Sequence, residues 1–296
     1  MSGQERRDSS FIATIMALLM VVTSLSPLAM AENVGDDDLE SFVGDLSGFD
    51  PISEGKEYLF SESLIPIYSA TGFLKSQWRS DGYPDLTLPF SESYVNSRSS
   101  TRSCENAWSM GDTDDVTTAG GSIAATVQKV SSNSAIFVED GQVIPSTTLN
   151  DIASTWESTI FPTVTGYFGS APDVDNTCQI EIVIFSIDGG GGIGGYFVPG
   201  LSSSKESVFV DIDDLGSRNT ILAHEFQHLL HNARDPFEYI WIDEGAADMA
   251  AYLCFGVTGS LTGHANEWSQ NSNVSVRWWN QRIADYGAGF LFLMYL

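Results

Sequence analysis

Between Ile221 and Leu230 two histidines, His224 and His228, stand four residues apart inside a run that is otherwise mostly apolar. The apolar period of Arg218–Asn232 predicts a helix. On a helix that spacing puts both imidazoles on one face, about 6 Å apart along the axis. Both then reach a single ion at roughly 2.0–2.1 Å. Glu225, next to the first histidine, points to a neighbouring side, where it takes a proton from a metal-activated water without being a ligand. The chain has only four histidines, and two of them fall at this spacing.

A catalytic zinc takes three protein ligands and keeps a position open for water. The next predicted helix, Asp243–Phe255, opens with Trp241-Ile242-Asp243-Glu244-Gly245-Ala246-Ala247-Asp248. Glu244 and Asp248 share one face of it, four residues apart. Glu244 is the expected third ligand, and Asp248 is expected to accept a hydrogen bond from the far nitrogen of His224, fixing its tautomer. Gly245, Ala246 and Ala247 let the two helices approach closely.

His224-Glu225-Phe226-Gln227-His228 followed by Trp241–Asp248 resembles the gluzincin superfamily of zinc metallopeptidases, and within it most the hyicolysin family. Gly194-Gly195-Tyr196-Phe197, Val208-Phe209-Val210-Asp211 and Asp285-Tyr286-Gly287-Ala288 share that resemblance, which runs from about Ile123 to Leu296. It implies a thermolysin-like domain: a twisted mixed sheet with an active-site edge strand, packed on the motif helix, then a helical lower half. It also implies peptide hydrolysis. A metzincin is excluded, because His231 and Arg234 stand where that pattern needs Gly and a third His. No G-x-M-E-N exopeptidase motif occurs upstream, so an endopeptidase is expected over an aminopeptidase. The reading from another class is a surface adhesin or binding module that keeps the fold without turnover.

The rest of the chain frames this site. Arg6 and Arg7 precede an apolar run from Phe11 to Leu25, and Ala29-Met30-Ala31 offers small residues for cleavage. That is the layout of a secretory signal peptide over 1–31, too short for a stable membrane anchor. The expected destination is therefore secreted or extracellular. The formal charge of −26 repels nucleic acid and anionic membranes, leaving peptide or protein as the expected partner. Residues 32–118 form a Ser- and acid-rich segment with short β-like pieces at Tyr58–Phe60 and Leu64–Tyr68. It reads as a pro-segment, a small β module or an extended arm. Residues 119–296 hold the metallopeptidase domain.

Within that domain Ile123–Val130 and Ala135–Glu139 read as a hairpin. Ser146–Ile160 reads as a helix capped by Ser146 or Thr147 and closed before Pro162. Cys178–Ile187 and Ser207–Ile212 read as strands. Strands first and helices later predict an α+β fold. Cys104 and Cys178 are the expected disulfide, with Cys254 a buried thiol. Gly190–Gly195 fits G-x-G-x-x-G, but no helix pattern follows, so it reads as a loop. Asp211, Asp213 and Asp214 read as a turn. His264 is placed in a polar Gly-rich loop, and Tyr286 is the candidate to stabilise a developing oxyanion through its hydroxyl. Ala288–Leu296 reads either as a buried terminal helix or as the cut end of a longer chain.

Overall fold

A computed structural model describes residues 69–80, 104–189, 192–273 and 275–296. The proposed signal peptide, the β-like pieces before Ser69, and Gly190 with Gly191 lie outside these residues. The fold is α+β. A mixed six-stranded sheet runs in the spatial order β1 (Thr113–Thr118), β2 (Gly121–Val130), β3 (Ser134–Glu139), β4 (Ile180–Phe185), β6 (Ser207–Asp211), β5 (Gly195–Tyr196). The first three strands are antiparallel, β3, β4 and β6 are parallel, and β5 returns antiparallel at the edge.

Burial explains why β4 reads as an unbroken apolar run. Every one of its residues is buried, as expected of a central strand covered on both faces. Alternate residues feed two layers. Phe137, Val183, Phe185, Tyr196 and Phe209 join one apolar cluster, while Ile136, Ile182, Ile184, Val208 and Val210 are buried on the other side of the pleat. Glu181 is the second residue of this strand, satisfied by the Ser207 hydroxyl at 2.7 Å and the Trp108 indole at 3.1 Å, with Lys205 Nζ at 3.2 Å.

The helices are α1 (Thr71–Ser80), α2 (Ser146–Thr155), α3 (Phe161–Phe168), α4 (Arg218–Asn232), α5 (Ile240–Phe255), α6 (Gly259–Gln270) and α7 (Ile283–Tyr295). Helix α4 is the histidine helix, and it packs on β5, β6 and α5. Phe226 on its far side meets Trp156 and Phe161, with ring centroids 4.7 and 5.7 Å away. Helices α5 and α7 cross at two glycines. A Cβ on Gly245 would stand 2.6 Å from the Gly289 carbonyl carbon, and backbone cannot give way there.

Three features differ from the sequence expectation. The helix read as ending before Pro162 continues through it to Phe168. A π turn over Trp156–Ile160 widens the backbone just ahead, with Phe161 N–H bonding to Trp156 O, which accommodates a residue that has no N–H of its own. That helix begins after Pro145, with no side-chain cap from Ser146 or Thr147. His264 lies in helix α6 rather than a loop. The Thr258 hydroxyl caps its first turn by accepting from Leu261 N, and burial of Leu261, His264 and Ala265 outweighs the glycines around them. Cys104 and Cys178 are joined, and Cys254 is a half-buried free thiol.

The 32–118 segment contributes two described elements, β1 at the sheet's far edge and α1 beside β5 and α5. Among the described residues no helix is long and apolar enough to cross a membrane.

Candidate active site

Helix α4 presents His224, Glu225 and His228, all buried, toward α5, which supplies Asp243, Glu244 and Asp248. His224 Nε2 and His228 Nε2 are 3.1 Å apart, and Glu244 Oε2 lies 3.2 and 3.3 Å from them. These are close to the edges, about 3.3 Å, of a tetrahedron with bonds of about 2.0–2.1 Å. They form the one group of three or more such side chains among the described residues with ligand atoms converging on a point.

The rear nitrogens each face a carboxylate. His224 Nδ1 is 3.0 Å from Asp248 Oδ1. His228 Nδ1 is 3.0 Å from Asp243 Oδ2, close but off the line of a good hydrogen bond. When each neutral ring carries its proton on Nδ1, the side that faces Asp248 or Asp243, both Nε2 atoms turn a lone pair toward each other and toward a carboxylate oxygen. Two N–H groups cannot point at one another across 3.1 Å, so three converging acceptors suit a cation. Glu244 Oε1 and Glu225 Oε1 are also buried without a hydrogen-bond partner among the described residues.

Charge agrees with this geometry. Glu225, Asp243, Glu244 and Asp248 are buried around the two rings, with Lys75 the buried ammonium among them. Burial opposes the His224 imidazolium, but hydrogen bonds to Asp248 and Glu244 outweigh it and raise the group well above its usual range. Burial opposes His228 too, yet the Asp243 and Glu244 charges raise it to about 9. The pocket demands positive charge, and a divalent ion meets that demand while taking the lone pairs. Burial raises Glu225, with His224 and His228 offsetting only part of the rise, so its carboxylate is a stronger base than an exposed one.

Asp248 bridges two helices, because its other oxygen lies 2.7 Å from His264 Nδ1. Burial alone would raise Asp248, but His264 and His224 bring it down to about 2, so it stays ionised behind the site. Tyr286 is buried between His264 and Trp279, and its hydroxyl donates to Ser69 O at 2.9 Å. His231 stands away from the convergence point, 2.9 Å from Asp243 Oδ1.

Sequence reasoning missed Asp243, Thr71 and Lys75. Asp243 was findable, since the second histidine also needs an acceptor behind it. Thr71 donates to Glu225 Oε2 at 2.8 Å and Lys75 pairs with Asp243 at 2.7 Å, across 154 and 168 residues, and no local pattern announces either contact.

No protein-family model matches the chain. Over 207 residues it is 27% identical to the neutral metalloprotease ShpI of Staphylococcus hyicus, covering 58% of this chain and 47% of that protein. The chain thus spans about half the length of this relative.

Proposed function

We propose that the chain is a secreted zinc-dependent endopeptidase with a thermolysin-like catalytic domain. The observation that carries this reading is the set of three acceptor atoms 3.1–3.3 Å apart, with each imidazole backed by a carboxylate. Two nitrogens and one oxygen are a donor set for zinc rather than for calcium or magnesium, which take oxygen. The distant likeness to a neutral metalloprotease supports peptide or protein as substrate. The leader-like N-terminus and the Cys104–Cys178 disulfide support export to an oxidising compartment.

In this mechanism His224, His228 and Glu244 hold the ion, and Asp248 and Asp243 orient the two rings. Zinc, when bound, supplies Lewis acidity to a peptide carbonyl and to water. Glu225 accepts the water's proton and returns it to the leaving amine, two transfers for which a raised carboxylate is suited. Tyr286 offers its hydroxyl to the carbonyl oxygen as negative charge develops there. The sheet edge at β5 provides main-chain groups on which an extended peptide aligns.

Elemental analysis of the purified chain, paired with casein hydrolysis before and after chelation, tests the proposal. About one zinc per chain and chelation-sensitive hydrolysis are expected. Zinc without hydrolysis in any form of the protein is the result that favours a binding module.

A further inference from the structure

We propose that residues Ser69–Ser80 are the chain's own inhibitor, occupying the place of a peptide substrate, and that hydrolysis requires them to leave. The inference rests on the metallopeptidase reading of the site.

Ser69 pairs in parallel with Gly195 on the edge strand, and Ala70 N donates to Gly195 O at 3.0 Å. Phe197 N donates to Thr71 Oγ1 at 2.7 Å. A short extended stretch is thereby added to the sheet's edge, the mode in which sheet edges take up foreign peptides. Its carbonyl at Ser69 receives the Tyr286 hydroxyl, the donor assigned above to a substrate carbonyl. One residue on, the Thr71 hydroxyl donates to the Glu225 carboxylate, where a water would surrender its proton. The next residue, Gly72, lies so close that a Cβ on it would stand 2.6 Å from Glu244 Oε1. One turn further, Lys75 neutralises Asp243 behind His228.

Glu225, Glu244 and Tyr286 thus face this segment rather than solvent. His224 and Tyr286 are 4% exposed, and Glu225, His228 and Glu244 are fully buried. A catalytic metal needs one position open to water and substrate, and a buried site cannot admit an extended chain. The folded form is a closed form.

The way α1 is held fits a removable cover. Its buried residues are Thr71, Gly72 and Lys75, with no large apolar side chain among them. The α4 helix, by contrast, buries Ile221, Leu222, Phe226, Leu229 and Leu230. Burying apolar area is the main source of adhesion between elements, and α1 buries it less completely than α4: its Phe73, Leu74 and Trp78 are only half-buried, with Leu74 against the apolar cluster. A buried ion pair such as Lys75–Asp243 sets position more than it adds stability, because desolvation offsets its attraction.

The test uses the full chain loaded with zinc. Leu74→Asp with Arg79→Ala removes contacts to the apolar cluster beside β5 and to the Glu238 carbonyl, leaving the metal-site side chains untouched. Two rates are read: cleavage of a quenched fluorescent peptide, and loss of metal to a soluble chelator. Activity scales with the fraction of molecules whose segment is released, so both rates are expected to rise by about tenfold or more. Thr71→Val, which spares Glu225, is expected to raise both as well. If peptide cleavage stays level or falls in both variants while zinc is retained and the parent cleaves, the segment belongs to the working site and the proposal is overturned. Unchanged metal-loss rates overturn it too. If no form cleaves any peptide but the variants lose metal faster, the cover stands and the peptidase reading falls.

Discussion

Asp248 stands directly behind His224, with Oδ1 3.0 Å from the ring's Nδ1, while its second oxygen takes His264. The carboxylate is aimed at the nitrogen away from the convergence point, the position that the proposed mechanism gives to a group that orients a ligand. Asp248→Asn is expected to weaken zinc affinity about 10–100-fold, the usual cost of losing such a partner. A zinc titration with a competing chelator checks this. Unchanged affinity defeats the orienting role, and complete loss makes Asp248 a ligand.

Glu225→Gln is expected to retain zinc and lose nearly all hydrolysis, because an amide cannot accept a proton from water. Glu244→Gln is expected to lose zinc affinity first. Metal content and peptide cleavage measured on both variants separate the roles, and the opposite pattern would show them exchanged.

Glu206 offers a test of stability away from the histidine cluster. Burial raises its carboxyl from 4.5 to about 8, even though it accepts a hydrogen bond from Val174 N. The folded state therefore binds this proton more tightly than the unfolded chain. The stabilisation is full below about pH 4.5 and is lost as pH rises toward 8. Glu206→Gln keeps a neutral acceptor at the position and is expected to flatten that decline. Melting temperatures at pH 5 and pH 8 should lie closer together in the variant, and an equal gap in the two proteins refutes the assignment.

The Cys104–Cys178 bridge closes a span of 74 residues. Constraining a loop of that length in the unfolded chain stabilises the fold by about 4 kcal/mol in the chain-entropy account. Replacing both cysteines by serine is expected to lower denaturant stability by an amount of that order. A loss under about 1 kcal/mol would mean that the unfolded chain is already restricted there.

How much was legible in the sequence followed the range of the interactions. Helix α4 runs from Arg218 to Asn232 as its apolar period predicts, because that period reports one buried face. The approach of Glu244 to the two histidines was reachable because its helix carries a recognisable string. The turn around Pro162 was misread because a widened backbone has no composition of its own. Around His264 local glycine content argued for a loop, while burial against Asp248 favoured a helix. Thr71 and Lys75 were invisible because only the folded chain brings them to Glu225 and Asp243.

The crossing of α5 and α7 at Gly245 and Gly289 leaves no room for even a methyl group. Glu244 is the residue just before one of those glycines, so its reach toward α4 is set by how close two backbones lie. Side chains around the convergence point are open to exchange, and substitutions there are expected to tune metal affinity in steps. Gly245→Ala acts differently: it is a spacer inserted between two rods, pushing α5 off its seat and carrying Glu244, Asp243 and Asp248 with it as one piece. Tolerance to change at this site is therefore graded at the carboxylates and all-or-none at the glycines, and a library of random variants should show that division as two distinct populations.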